Sequence, residues 1–258
     1  MVLNSLVSVF QYFLPITVAL SVAFLLQRLY ISLLLKVGGR PLLYIPASFS
    51  VPIHELSHYI AAKLCLHKVE KVVFFQLNSS QTLGYVSHSY KKSILSPLTN
   101  AVIGMAPIFG GWFVVALITF LLVPEIYQLL NIKLSLTDTT IVEDIARFVR
   151  AFESVFYQHY AEPKFWLWVF LVANVAVFSA PSGADFKGAW TGMALIIGMY
   201  VVSFHFFGDD TGVFNIVNSM FSAYLPTLIL CVFVVLFITI PLLVFNIIKI
   251  KLLGAKST

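Results

Sequence analysis

The stretch that decides the fold is LLYIPASFSVPIHELSHYIAAKLCL, which covers residues 42–66. Most of it is apolar, and as a helix it is long enough to cross a hydrocarbon layer of roughly 30 Å. Near its middle it carries His54, Glu55 and His58. A hydrophobic span normally excludes such groups, because an unsatisfied polar side chain is costly in lipid. These three residues therefore indicate chemistry inside the membrane.

Histidines at positions i and i+4 lie on one face of a helix, so His54 and His58 can bind one Zn²⁺ ion. Glu55, next to them, is placed to act as the general base toward a water molecule that zinc activates. The alternative is a pair of histidines satisfied by hydrogen bonds at a polar helix interface. The membrane context favours the metal site.

The composition of the whole chain indicates a helical protein with several membrane passes. The 258 residues are 60% hydrophobic and 10% charged, with a mean hydropathy of +0.95, whereas soluble domains have about 25% charged residues. The apolar runs are continuous, which excludes the alternating pattern of a membrane β-barrel. A net charge of +5 is explained better by membrane topology than by nucleic-acid binding. We predict an all-α polytopic membrane protein that contacts the lipid bilayer and no nucleic acid.

About six transmembrane helices are predicted, and they define three parts of the chain. The helices cover residues 4–27, 42–66, 97–123, 164–184, 188–207 and 222–248. The parts are an N-terminal helix and loop (1–41), a core with the histidine motif (42–190), and two C-terminal helices with a basic tail (191–258). Cys65 and Cys231 fall in or beside apolar helices, which indicates packing residues rather than a disulfide or metal ligands.

Two segments between the helices have their own patterns. Residues 67–95 contain β-branched and aromatic runs at 69–77 and 82–88 around a polar turn, which predicts a small β-hairpin directly after the second helix. An ordinary loop is the alternative. Residues 124–163 are polar, and 138–158 has amphipathic helical spacing. We expect a helix on the membrane interface there, with a role in substrate gating as the alternative.

A catalytic zinc ion needs three protein ligands and one open position. Asp185 is the best third candidate, because the fourth helix runs in the same direction as the second and brings Asp185 to the same side as the motif. Pro181 and Gly183 would loosen the helix before it. The alternative is that Asp185 only caps the next helix. Four other histidines are less well placed for the role: His67, His88, His159 and His205.

Asn174 is the other polar residue inside the predicted fourth helix, about three turns before Asp185. Its amide could bind substrate or orient a group at the metal site. A hydrogen bond between two helices is the commoner use of such a residue in a membrane.

The distribution of Lys and Arg predicts an orientation, because cytoplasmic loops carry an excess of them. It favours residues 67–95 and both termini in the cytoplasm, with residues 124–163 outside. Lys36 and Arg40 violate this assignment. The metal would then lie nearer the cytoplasmic face.

With these features the chain resembles the site-2 protease family of intramembrane zinc metalloproteases, in a divergent branch of bacterial type. The shared features are the His-Glu-x-x-His motif in a span, a strand-like element after it, a third helix with Gly and Pro, and Asp185 after a Pro-containing segment. The family often has Gly directly after that Asp, whereas this chain has Phe186. The resemblance covers roughly residues 42–190.

The resemblance implies a metalloprotease core, built from the second to the fourth helix, in a bacterial inner membrane. It implies hydrolysis of a peptide bond in a membrane protein or membrane-proximal peptide. It further implies that a strand edge of the hairpin pairs with the unwound substrate; the strand residues concerned are Gly84, Tyr85 and Val86.

Two other function classes stay open at this point. A transporter or channel could bind zinc in a helical bundle, but it would not need Glu55 between the histidines. A catalytically silent member of the family could serve as a subunit of a larger complex. Such a protein would more often have lost one of the three motif residues, and this chain keeps them all.

Overall fold

The computed structural model describes residues 2–77, 82–131, 141–207 and 212–254. It is dominated by helices, with one small sheet. In chain order the elements are α1 (Val2–Leu64), β1 (Lys68–Val73), β2 (Tyr85–Ser89), α2 (Ser96–Leu122), α3 (Pro124–Leu129), α4 (Ile141–His159), α5 (Pro163–Phe178), α6 (Gly183–Phe207) and α7 (Gly212–Gly254). The predicted helical class with a hairpin after the motif helix is therefore confirmed.

A break at Gly39 divides α1 into two arms. A straight helix of its 63 residues would be about 95 Å long at the usual rise per residue. Gly39 has φ 68° and ψ −160°, a conformation that a residue without Cβ adopts at little cost. Pro41 then stands in the first turn of the next helix, where its missing N–H costs nothing. We call residues 2–38 the first arm and residues 40–64 the motif arm.

A residue near the C-terminal end of α7 binds the backbone carbonyl groups at this break. A helix that stops leaves its last carbonyl groups without intrahelical partners. The Nζ atom of Lys249 donates to the carbonyl oxygens of Lys36 and Val37, at 3.2 and 3.0 Å. The sequence predicts a loop from residue 28 to 41, and this is wrong, because the helix continues to the break and residues far apart in the chain complete its end.

Four stretches of the described residues are long and apolar enough to cross a membrane. They are Leu20–Leu64, Ser96–Leu122, Gly183–Phe206 and Ala223–Leu252. The first of these stretches includes the Gly39 break and the parts of both arms that flank it. Helix α5 is apolar but has only 16 residues, or about 24 Å of helix. The membrane-spanning character is thus supported, whereas six separate spans are not confirmed.

The hairpin lies alongside the motif arm instead of beyond its end. Strands β1 and β2 are antiparallel, with Val72 opposite Val86 and an irregularity between Val69 and Lys71. Farther along, the Tyr44 hydroxyl donates to the carbonyl of Leu77 at 3.4 Å. The chain therefore runs back along the arm from Leu64 toward Gly39. The predicted turn at 78–81 lies outside the described residues.

Helix α4 packs its apolar face onto the protein. Phe148 and Phe152 are buried in the main core with Phe165 and Trp168 of α5. The rings of Phe152 and Phe233 of α7 have centroids 5.4 Å apart. Helices α5 and α7 therefore cover at least part of the apolar face of α4, and its predicted position on the membrane interface stays a prediction.

The described end of α7 and the base of the hairpin lie at opposite ends of the motif arm. Lys249 reaches the Gly39 break, whereas β1 begins just after Leu64. The predicted sharing of one membrane side by the C-terminal tail and residues 67–95 stays a prediction. Lys36 and Arg40, which violated that assignment, now stand at the same end as Lys249, so basic residues occur at both ends and no longer select a cytoplasmic side.

Candidate metal centre

Three predicted site residues meet in the interior of the helical bundle. The Nε2 atoms of His54 and His58 are 3.1 Å apart. The carboxylate of Asp185 lies 3.5 Å from Nε2 of His54, through Oδ2, and 3.1 Å from Nε2 of His58, through Oδ1. All three side chains are largely buried, with 9 to 16% of each exposed. Among the described residues this is the group that could hold a metal ion.

Backbone carbonyls fix the orientation of both imidazole rings. Nδ1 of His54 lies 2.7 Å from the carbonyl oxygen of Phe178, and Nδ1 of His58 lies 2.8 Å from that of Ile103. A carbonyl only accepts, so each Nδ1 carries the proton and each neutral ring presents a bare Nε2 to the centre. Carbonyl partners of this kind are typical of metal-binding histidines.

The consequence is that three acceptors face one another. Two unprotonated nitrogens and a carboxylate converge in a buried space, and none of the three supplies a proton when the rings are neutral. Lone pairs at such separations repel, and a cation between them removes the repulsion. The arrangement therefore calls for a metal ion or for a proton on one of the rings.

Asp185 reaches the centre from the start of α6. The chain between α5 and α6, at 179–182, is not helical. The Ser182 N–H donates to Oδ2 of Asp185 at 2.7 Å, and the Asp185 N–H donates to Oγ of Ser182 at 3.2 Å. This reciprocal pair is a capping box, and it holds the carboxylate in place. The two interpretations of Asp185 are thus combined, since it caps a helix and faces the imidazoles.

The sequence places Asp185 differently, just after a fourth helix over residues 164–184. That helix ends at Phe178, and Asp185 belongs to the first turn of the next one. The pattern Ser182-x-x-Asp185 is itself the signature of a helix start. Ser182 is therefore a functional residue that sequence reasoning missed although its signal was present.

Glu55 is buried beside the hairpin, with 7% of its surface exposed. A Cβ atom at Gly84 would lie 2.8 Å from Cγ of Glu55 and 2.9 Å from Cγ1 of Val51. Only a glycine lets the strand approach the motif arm so closely. Gly84 thus brings the hairpin against Glu55, and Tyr85 and Val86 follow in β2, where they pair with Val73 and Val72. Their role toward a substrate stays a prediction.

Glycines of α2 allow the elements of the centre to pack. A Cβ atom at Gly104 would lie 2.8 Å from the backbone oxygen of Asp185. Additional Cβ atoms at Gly110 and Gly111 would collide with the side chains of Ser57 and Ser179. The backbone of α2 therefore touches the motif arm, the α5–α6 connection and the turn that carries Asp185.

We expect Gly104→Ala to weaken Zn²⁺ binding about tenfold, the lower end of what support residues of a metal site contribute. The new methyl group must displace the backbone of Asp185 from the two imidazoles. Gly188→Ala is the matched control, because a Cβ atom there meets nothing within 4 Å. Competition with a chelating dye measures both affinities, and equal affinities would contradict this role of Gly104.

Asn174 uses its amide in hydrogen bonds within the helical bundle. The Tyr30 hydroxyl donates to its Oδ1 at 2.9 Å, and its Nδ2 donates to the carbonyl of Phe170 at 2.7 Å. The residue is fully buried. Asn174 thus links α5 to the first arm, the commoner use of such an amide in a membrane, and the substrate-binding role stays a prediction.

The competing histidines lie elsewhere. His159 is buried between α4 and α5, where its Nδ1 lies 2.9 Å from Glu162. His205 follows Asp185 by 20 residues of α6, or about 30 Å. His67 and His88 form a separate pair at the base of the hairpin, with their Nδ1 atoms 3.1 Å apart. None of these four belongs to the described group that could hold a metal.

The His67–His88 pair anchors the hairpin to α2. Oγ1 of Thr99 donates to the carbonyl of Ser96, so it accepts from Nε2–H of His67, at 3.1 Å. Nδ1 of His67 is then an acceptor, and Nδ1–H of His88 donates to it. The chain of bonds is consistent only while His67 is neutral.

We expect this anchor to weaken in acid. Burial lowers the pKa of His67 and of His88 below the ordinary 6.5, and for His88 the nearby imidazoles of His67 and His58 lower it further, against Glu70. The unfolded segment then binds protons first, so stability is complete above pH 6.5 and falls as the pH drops. Exchange of β1 and β2 amides, corrected for intrinsic rates, should rise from about pH 7.5 to about pH 5. His88→Asn keeps a hydrogen-bond donor and should remove most of the pH dependence of amide exchange. If this variant shows the same pH dependence as the wild type, the His67–His88 pair is not its cause.

Comparison with known proteins adds no relative from which a role could be transferred. No protein-family model, curated protein or solved structure matches the chain. The likeness to site-2 proteases therefore rests on the motif residues, and the metal centre rests on the positions of His54, His58 and Asp185.

Proposed function

We propose that the protein is an intramembrane zinc metallopeptidase that cleaves a peptide bond of a membrane-embedded or membrane-proximal substrate. One observation carries the proposal. Two bare imidazole nitrogens and a carboxylate converge at 3.1 to 3.5 Å inside an apolar bundle, next to a buried glutamate. The two imidazole nitrogens and the carboxylate of Asp185 form a set of metal ligands. The glutamate supplies the general base that hydrolysis needs.

The donor set fits zinc. Zinc sites take imidazole nitrogen and carboxylate oxygen at about 2.0 to 2.2 Å in tetrahedral geometry, so neighbouring ligand atoms lie about 3.3 Å apart. The separations of 3.1, 3.1 and 3.5 Å bracket this value. Three protein ligands also leave the fourth position open, as catalytic sites do and closed structural sites do not.

The chemistry follows from the residues present. A zinc ion held there supplies Lewis acidity toward a water molecule and the scissile carbonyl. Glu55 accepts the proton of the attacking water and delivers it to the leaving amine nitrogen, so the carboxylate is regenerated as the C–N bond breaks. The carbonyls of Phe178 and Ile103 keep both rings oriented throughout. Burial among helices limits access of bulk water.

The position of the hairpin supports a peptide as the substrate. A helical substrate hides its carbonyls in intrahelical bonds, and opening it in lipid leaves groups that cost several kcal/mol each. A strand edge beside Glu55 offers replacement partners. Gly84 brings such a strand into contact with the motif arm. The substrate class is thus an extended segment of a membrane protein or peptide.

The direct test combines metal content with cleavage. The full chain, purified and placed in vesicles with single-span peptide substrates, should contain about one zinc per chain and release products with one new amine terminus. A chelator should stop cleavage, and Zn²⁺ should restore it. Bound zinc with no cleavage of any substrate would favour a transport or subunit role, and a protein that binds no zinc would contradict the proposal.

A further inference from the structure

A second candidate site lies on the other side of the α5–α6 connection. An apolar cavity of about 680 Å³ opens between the first arm, α2, α6 and α7. Its walls include Leu20, Phe24, Ile108, Phe186, Leu228 and Val235. The volume falls in the range of about 300 to 1,000 Å³ that is typical of ligand pockets. None of the three metal-facing residues lines it.

The cavity continues into an open groove along the first arm. The groove has a volume of about 600 Å³ and shares Phe24, Pro181, Ser182 and Gly183 with the cavity. Its remaining walls are partly polar and include Arg28 and Lys36. The combined space is therefore apolar at one end and cationic at the other.

Neither cation of the groove pairs with a carboxylate in the described part of the chain. Arg28 and Lys36 are both exposed. The sequence contains no Asp or Glu before Glu55 and none after Asp210, so the first arm and α7 carry positive charge only. The guanidinium of Arg28 lies 4.7 Å from the ring of Phe24, at the junction of groove and cavity.

Arg28 lies within a candidate span and has no acidic partner among the residues that the structure describes, which calls for an explanation. Arg28 belongs to the apolar stretch Leu20–Leu64, and it stands 11 residues, or about 16 Å of helix, before the break at Gly39. Charged groups in such positions normally pair with an opposite charge or serve a site. The arm itself carries no acid, and among the described residues no carboxylate pairs with Arg28, so a bound anion would complete this site.

We propose that the groove and cavity bind an anionic phospholipid. The phosphate and headgroup lie between Arg28 and Lys36, and an acyl chain enters the apolar cavity. The order along the arm fits this occupant, because Lys36 is nearest the end of the bundle and the cavity residues Phe24 and Leu20 lie progressively deeper. Basic pockets between membrane helices recognise lipid headgroups in this way.

Other ligands match only one half of this site. A free phosphate would use the cations and leave the large apolar cavity unfilled. A zwitterionic lipid would fill the cavity and bring its own ammonium group against the two cations. Only a ligand with one net negative head and a long apolar tail matches both halves.

Titration of the purified full chain with phosphatidylglycerol in a neutral detergent, followed by native mass spectrometry, tests the proposal. We expect Arg28→Gln combined with Lys36→Gln to weaken binding about 30-fold, at about 1 kcal/mol for each cation. Lys91→Gln combined with Lys92→Gln removes the same charge from exposed lysines outside the groove and should change affinity less than about twofold. Ser21→Trp, at an exposed cavity residue, should block the tail and weaken binding with both cations present.

Three results would overturn the proposal. Equal losses in the two double variants would mean a general charge effect. Equal affinity for phosphatidylcholine would remove the role of the anion. Displacement of the lipid by inorganic phosphate, together with unchanged binding in Ser21→Trp, would show that the cavity holds no tail.

Discussion

Glu55→Gln is expected to abolish hydrolysis while zinc stays bound. The amide has nearly the same shape as the carboxylate but cannot accept the proton of the attacking water. Loss of a general base costs about 10² to 10⁴ in rate. His54, His58 and Asp185 are unchanged in this variant, so its metal content should equal that of the wild type. Product formation from a single-span substrate at saturating Zn²⁺ measures the effect.

Glu70→Gln is the matched control for this prediction. Glu70 lies in β1 and is exposed, whereas Glu55 is buried beside Gly84. The control should cleave at the wild-type rate. Full activity of Glu55→Gln would remove the general-base role, and loss of zinc in this variant would show that the carboxylate supports the metal instead.

The motif could be placed from sequence because its geometry is local. Spacing i, i+4 fixes the relation between His54 and His58 on any helix. The β-branched run after the motif predicts strands for a similarly local reason. The structure agrees on both points, with the two Nε2 atoms at 3.1 Å and β1 directly after α1.

The long-range features could not be read in the same way. The Gly39 break is completed by Lys249, more than 200 residues later, and no local pattern connects the two. The carbonyls of Phe178 and Ile103 that orient the histidines belong to the backbone, so no residue type marks them. Asn174 shows the same limit, because its amide alone does not reveal that Tyr30 occupies it.

The path of the hairpin also depends on tertiary packing. From sequence, residues 67–95 form a hairpin directly after the motif helix, on the predicted cytoplasmic side. In the structure they return along the motif arm, because Gly84 permits close contact with Val51 and Glu55 and because His67 and His88 fix the base to Thr99 of α2. A single glycine and a hydrogen bond between two imidazoles thus hold the hairpin beside Glu55 and the candidate metal centre.

Asp185→Ala is expected to lower zinc affinity by more than about 100-fold. Loss of a group that only supports a ligand costs about 10- to 100-fold, and Asp185 faces both imidazoles directly, at 3.1 and 3.5 Å. The two histidines remain, but two ligands hold zinc poorly. Zinc content after dialysis against a weak chelator measures the loss. His159→Ala and His205→Ala should retain the metal, because neither residue belongs to the group.

Ser182→Ala separates the two roles of Asp185. It removes the Oγ atom that accepts the Asp185 N–H, but it keeps the Ser182 N–H that holds Oδ2 and leaves the carboxylate beside the histidines. Loss of an N-cap costs about 1 kcal/mol of stability. If Asp185 served only as a helix cap, Asp185→Ala and Ser182→Ala would be destabilised to a similar degree, and both would keep their full zinc content. A metal ligand predicts zinc loss in Asp185→Ala, with at most about tenfold weaker binding in Ser182→Ala. If zinc survives in Asp185→Ala and disappears in one of the other histidine variants, the third ligand is that histidine and the packing of α6 against α2 serves only the fold.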